Sequence, residues 1–162
     1  MRSLLLSLLL CAVTSGSASA PVPEVQHTLA KIGYEVAAER CGALAKRSRR
    51  PVKNRFDETV IDQRETIQCR GLVLVVYHAA IYNPPLQILE SLTLRSTHPK
   101  VPKPISPGAT RSDVLAFAGK PMEEDSTSLV YLLTDEGPDQ CTATFKFENG
   151  KLASVTWWWS SQ

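Results

Sequence analysis

The residues able to carry chemistry are few, and their spacing does not suit it. His27, His78 and His98 fall at a helix start, at a strand end and before a proline. None is spaced with Cys, Asp or Glu as a metal or nucleophile site requires. There is no Cys-x-x-Cys, no phosphate-cradling glycine loop and no Gly-x-Ser-x-Gly elbow. Glu123, Glu124 and Asp125 lack the alternating spacing of a calcium loop and read as a solvated connection. Catalytic triads assemble in space rather than along the chain, but these residues supply no catalytic, metal or cofactor set, and the expectation is a protein that is not an enzyme and carries no cofactor. Binding is better served. Trp157, Trp158 and Trp159 stand together near the chain end, and tryptophan is a favoured binding anchor because it buries much area at low entropy cost.

Which rings are free to bind follows from the last hairpin. Phe147-Glu148-Asn149-Gly150-Lys151-Leu152 places Asn-Gly at a two-residue turn, the preferred type I′ sequence. Counting back from it pairs Phe147 with Leu152, Phe145 with Ser154, Ala143 with Thr156 and Cys141 with Trp158 on a core face. The other face pairs Lys146 with Ala153, Thr144 with Val155, Thr142 with Trp157 and Gln140 with Trp159. The candidate partner-binding set is therefore Trp157, Trp159, Val155, Thr142, Thr144 and Lys146. The competing reading is that the first half of the chain covers this face.

A second candidate is electrostatic. From Ser19 to Ile105 the chain has 13 Lys and Arg against 8 Asp and Glu, whereas from Ser106 to Gln162 it has 4 against 8. The positive excess gathers in Lys46, Arg47, Arg49, Arg50, Lys53 and Arg55. This run could meet an anionic membrane surface, an acidic protein or the acidic half of its own chain, or it is a solvated loop. No nucleic-acid partner is expected, since no aromatics interleave the run and the chain has an export signal.

That signal is the first stretch. Arg2, a leucine-rich centre and Ser15-Gly16-Ser17-Ala18 have the order of a secretory signal peptide, with cleavage expected after Ala18. Cys11 follows three leucines rather than a small residue, so a lipoprotein is not expected. No later apolar run approaches the length of about 18 residues needed to span a bilayer. The expectation is a soluble periplasmic or secreted protein. Cys41, Cys69 and Cys141 remain, an odd number in a compartment where disulfides persist. A Cys41–Cys69 bridge is preferred because a helix end can dock beside a strand. The other pairings, and three unpaired buried thiols, stay open.

The elements that must position these residues read in order. Val25, Leu29, Ile32, Val36 and Ala43 recur near helical spacing and predict a helix from Glu24 to Lys46. The basic segment through Arg55, with Pro51, reads as a loop. Thr59–Cys69, Leu72–Tyr77 and Leu86–Thr97 read as strands, with Arg70-Gly71 a turn or a bulge. Residues 98–107 hold four prolines and predict a stiff extended linker. Thr110 with Asp113 forms a capping box, Val114, Leu115, Phe117 and Ala118 an apolar face, and Gly119 with Pro121 an exit, so a helix of about nine residues is expected there. Three strands follow it. Gln68-Cys69 has a counterpart in Gln140-Cys141, and residues 90–94 in residues 153–157, which suggests a degenerate α-βββ-α-βββ duplication. The division is a signal peptide (1–18), an N-terminal helix with strands (19–97), the linker (98–107) and an α-βββ unit (108–162). The class is α+β, with helices packed on one face of an antiparallel sheet.

The unit at 108–162 carries a resemblance. Ile105-Ser106-Pro107-Gly108-Ala109-Thr110, Val114, Gly119-Lys120-Pro121, Leu129-Val130-Tyr131, Phe145-Lys146-Phe147 and Gly150-Lys151-Leu152 resemble the SmpA/OmlA (BamE-like) outer-membrane assembly domain. The duplicated plan is similar to the tandem β-lactamase-inhibitor-protein fold. The resemblance implies a protein-binding module of the bacterial cell envelope, with a soluble inhibitor or immunity-type protein as the alternative. The chain departs from the assembly lipoproteins in lacking their anchoring cysteine, and its first half shows no clear motif of the family.

Overall fold

In a computed structural model of the chain, residues 24–39, 41–54, 56–134 and 141–159 are described. The signal-peptide reading and the roles given to Arg55 and Gln140 fall outside them. Among the described residues no helix is long and apolar enough to cross a membrane. The first apolar stripe forms helix α1 (Glu24–Ala38), which buries Leu29, Ala30, Ile32, Gly33, Val36 and Ala37. It ends well before the predicted Lys46. Cys41 turns the chain with a left-handed φ of 59°, a single 3₁₀ turn follows at Gly42–Leu44, and the backbone becomes extended.

The basic segment expected as a loop is strand β1 (Lys46–Lys53). It pairs on one side only, with β2 (Ile61–Cys69). An edge strand tolerates Pro51, and a charged edge resists further pairing, so composition that argued against a strand suits this one. Arg70 and Gly71 both have positive φ, 41° and 77°, and make the two-residue turn into β3 (Leu72–Ala79). Strand β4 (Leu86–Leu94) follows.

Residues 98–107 are not a stiff extended linker. They contain a 3₁₀ turn at Lys103–Ile105, bury Val101, Ile105 and Ser106, and reach back to the residue just past α1 through His98 and Lys100, at 3.1 and 3.3 Å from the Glu39 carboxylate. Apolar residues between the prolines have pulled the segment onto the core. Helix α2 (Arg111–Ala118) carries the expected capping box, with Asp113 N–H donating to Thr110 Oγ1 and Thr110 N–H to Asp113 Oδ2. The chain then forms four strands rather than three: β5 (Glu123–Glu124), β6 (Ser128–Thr134), β7 (Cys141–Glu148) and β8 (Lys151–Trp159).

The eight strands make one antiparallel sheet in the order β1-β2-β3-β4-β8-β7-β6-β5. Pairing of β4 with β8 joins the two halves, aligning Leu92 with Trp157 and Leu94 with Val155. Helix α1 lies against β6, β7 and α2, so the first helix of the chain covers strands of its second half. Alternate residues point toward the helices and build the core from Ile67, Leu74, Leu92, Leu129, Tyr131, Phe145, Val155 and Trp157. The fold is α+β with an antiparallel sheet. Cys41 and Cys69 form the expected disulfide, and Cys141 is a free, buried thiol whose burial pushes its pKa up to about 11.

Candidate functional site on the open face of the sheet

The register of the last hairpin decides which tryptophan is free. Asn149 and Gly150 adopt φ of 51° and 74°, as a type I′ turn requires, and Phe147 faces Leu152 as expected. Beyond that pair the ladder shifts at a β-bulge. Lys146 faces Ser154, Phe145 faces Val155, Ala143 faces Trp157 and Thr142 faces Trp158. The extra residue in β8, Ala153, moves every later side chain to the opposite face. Trp157 and Trp159, expected on the binding face, are instead 0% and 7% exposed in the core, and Val155 is fully buried with them. Trp158, expected on the core face, is 48% exposed.

Trp157 is locked in place. Its Nε1–H donates to the Leu29 carbonyl at 2.9 Å, and its ring lies against the α1 backbone at Gly33. Trp159 stacks on Tyr34 with ring centroids 5.0 Å apart. The Phe145 ring meets Tyr131 edge-on at 5.5 Å.

On the open face the expected Thr142, Thr144 and Lys146 remain, now beside Trp158, Thr156 and Ser154. Trp158 stands between Thr142 of β7 and Ser91 of β4. The next row runs Val130, Thr144, Thr156, Thr93, Val73, and the Thr93 and Thr156 hydroxyls lie 3.1 Å apart. A shallow cavity of about 530 Å³ continues the face between Thr93, Arg95, Lys146, Glu148, Ser154 and Thr156. Half-buried threonine and valine around one tryptophan can make van der Waals contact and exchange hydroxyl hydrogen bonds with a flat partner. Arg95, Ser154, Thr156 and Trp158 are the members that counting along the chain missed, because nothing in the side chains of residues 152–154 announces a bulge.

The basic run is largely engaged by its own chain. Arg47 and Arg49 each lie 3.3 Å from the buried Glu65 carboxylate, and His78 Nε2 lies 3.0 Å from it. Burial opposes ionisation of Glu65, but hydrogen bonds from Arg49, Arg47 and His78 outweigh it and hold the carboxyl below its usual range. Lys53 meets Glu58 at 3.3 Å. Among the described residues Lys46 and Arg50 make no ion pair. Beside this run Asp62 is fully buried. It accepts hydrogen bonds from the Tyr77 hydroxyl, from Asn54 Nδ2 at 2.8 Å and from Ala80 N–H at 2.7 Å. Burial raises its pKa, and these three donors more than reverse that.

Among the described residues no group of three or more His, Cys, Asp or Glu side chains is placed to hold a metal ion. Asp125, in the acidic cluster, spends its carboxylate on the backbone and hydroxyls of Thr127 and Ser128, at 2.6 to 2.9 Å, closing the turn into β6. Comparison of the chain with protein-family models, with curated proteins and with solved structures finds no match.

Proposed function

We propose that the protein is an exported, non-enzymatic module of the bacterial cell envelope that binds another protein through the open face of its sheet, in outer-membrane assembly or integrity. The observation that carries this reading is the exposed indole of Trp158 at the middle of an eight-stranded sheet that has both helices on the other face. Thr142, Thr144 and Lys146 surround it together with Thr156 and Ser154. Export is supported by the Cys41–Cys69 disulfide and by the signal-like first residues, and the resemblance of residues 105–152 to the SmpA/OmlA domain supports the envelope role. The alternative, a soluble inhibitor or immunity-type protein acting through the same face, is favoured by the order of elements. A helix followed by four strands occurs twice within one sheet, the arrangement that a degenerate tandem duplication would leave.

Capture from envelope extracts on immobilised protein tests the reading. Trp158→Ala is expected to reduce recovery of the partner at least tenfold, as loss of a central anchor does. Its stability should move by no more than about 0.5 kcal/mol, since the ring is at the surface. Recovery of outer-membrane assembly components supports the first function, and recovery of one toxin or hydrolase supports the second. Capture unchanged by Trp158→Ala would rule out this face.

A further inference from the structure

Five of the nine large hydrophobic side chains that are exposed among the described residues share one end of the sheet. Phe56 is 82% exposed, Ile61 51%, Ile81 57%, Tyr82 51% and Leu86 46%. They come from the β1–β2 connection, the β3–β4 connection and the strand ends that flank them. The two connections are held together at their base. Asp62 takes hydrogen bonds from Asn54 in one and from Ala80 in the other, while Asn54 Oδ1 accepts from the Phe56 and Asp57 amides at 2.8 and 2.9 Å. The apolar side chains are thus displayed from a braced base, and little order has to be gained on contact.

We infer that this end of the sheet is an anchor for an anionic phospholipid surface. Apolar and aromatic side chains at loop tips enter the headgroup boundary, and neighbouring cations add attraction when the lipids are anionic. The β1 edge that runs up to the tip is basic on balance. Residues 46–65 hold seven Lys and Arg against four Asp and Glu, two of them, Asp57 and Glu58, on the tip itself. Arg47 and Arg49 are paired with Glu65 and Lys53 with Glu58, which leaves Lys46 and Arg50 of the strand to face an anionic surface. Arg50, without an ion pair among the described residues, stands opposite Arg64 across β1 and β2, and Arg64 is itself met by the Glu90 carboxylate at 2.6 Å, so Arg50 is the cation of that pair left to an external anion. The acidic residues Glu123, Glu124 and Asp125 belong to the far edge of the same sheet. The molecule is therefore polarised along the sheet, and an anionic surface would turn the β1 edge and its apolar tip inward. An acidic protein would match the charge but gives no reason for isoleucine, tyrosine and phenylalanine on two adjacent tips rather than in a recess.

Co-sedimentation with vesicles of phosphatidylglycerol and phosphatidylethanolamine, against vesicles of phosphatidylcholine alone, tests the anchor. The protein is expected to bind the anionic vesicles at least tenfold more strongly, with binding that weakens as salt rises. Ile81→Ser with Tyr82→Ser should lower that partitioning at least tenfold, and Phe56→Ser should lower it on its own. Trp158→Ala should leave it unchanged, which separates this surface from the protein-binding face. An Ile81→Trp variant should show a blue-shifted emission component on the anionic vesicles. The inference is overturned by failure to bind them at low salt, or by binding that the serine variants leave intact, which would be adsorption by charge alone. It is also overturned if sedimentation equilibrium shows a dimer that the serine variants dissolve, because the tip would then be covered by a second copy.

Discussion

At Gly33 a Cβ would come within 2.6 Å of Trp157 Cδ1 and 2.8 Å of Cγ. Glycine in a helix interior costs about 1 kcal/mol relative to alanine, so Gly33→Ala would stabilise a helix that faced open space. Here the indole is fully buried and tied to the Leu29 carbonyl. It cannot withdraw without breaking that bond, and overpacking of this kind costs about 1–3 kcal/mol. The expected result is a net loss of up to about 2 kcal/mol by urea denaturation, and a midpoint that rises would show that the ring has room to move. The same pair marks how far single residues could be read. The Asn149-Gly150 turn and the Thr110–Asp113 cap were legible because each rests on a backbone requirement that a few residue types satisfy. The meaning of Gly33 was not, since it lies in a ring 124 positions away along the chain. The sorting of the three tryptophans turned on one extra residue in β8, and an alanine at 153 carries no mark of a bulge.

Strand β1 shows the same limit one level up. Five of its eight residues are Lys or Arg, a composition that reads as loop, and β-propensity measures fit to a half-buried pleated surface that this strand scarcely has. It is a strand because β2 offers a complete ladder from Lys46–Gln68 to Lys53–Ile61, and because Glu65 gives Arg47 and Arg49 a buried carboxylate. Glu65 also meets His78 of β3, so one side chain ties three strands. Its carboxyl is held below the ordinary value of 4.5. The stability it contributes is therefore complete above about pH 4.5 and is lost as the pH falls through the folded-state value. Glu65→Gln should cost about 2 kcal/mol at pH 7, the scale of hydrogen bonds to a buried charge. That deficit relative to the unsubstituted protein should shrink at pH 3.5, because below its ordinary value of 4.5 the carboxyl takes up a proton in the unfolded chain while the folded state resists it. Urea denaturation at the two pH values measures it, and an equal deficit at both would mean that the carboxylate's charge plays no part in holding β1.

For the whole molecule, the boundary suggested by prolines at 98–107 does not divide the fold. The charge asymmetry of the two halves is real in the sequence, and the segment between them is rich in residues that favour extended backbone. Yet α1 lies on β6 and β7 and supplies the carbonyl for Trp157 and the ring for Trp159, and Glu39, just past its end, holds His98 and Lys100. Without α1 the helix-facing side of β6 to β8 would expose Trp157, Trp159 and their neighbours, and without β4 the strand β8 would become an open edge. Residues 98–162 alone, the part with the most readable local signals, are thus expected not to fold. A fragment of that length should give poorly dispersed amide resonances and no cooperative melt, whereas residues 19–162 should unfold in a single transition with coincident fluorescence and circular dichroism curves. A cooperative melt of the isolated fragment would restore the two-unit division. Its absence would mean that capping box, hairpin and strand pattern, each correct locally, specify the structure only when the first helix of the chain closes over the last strands.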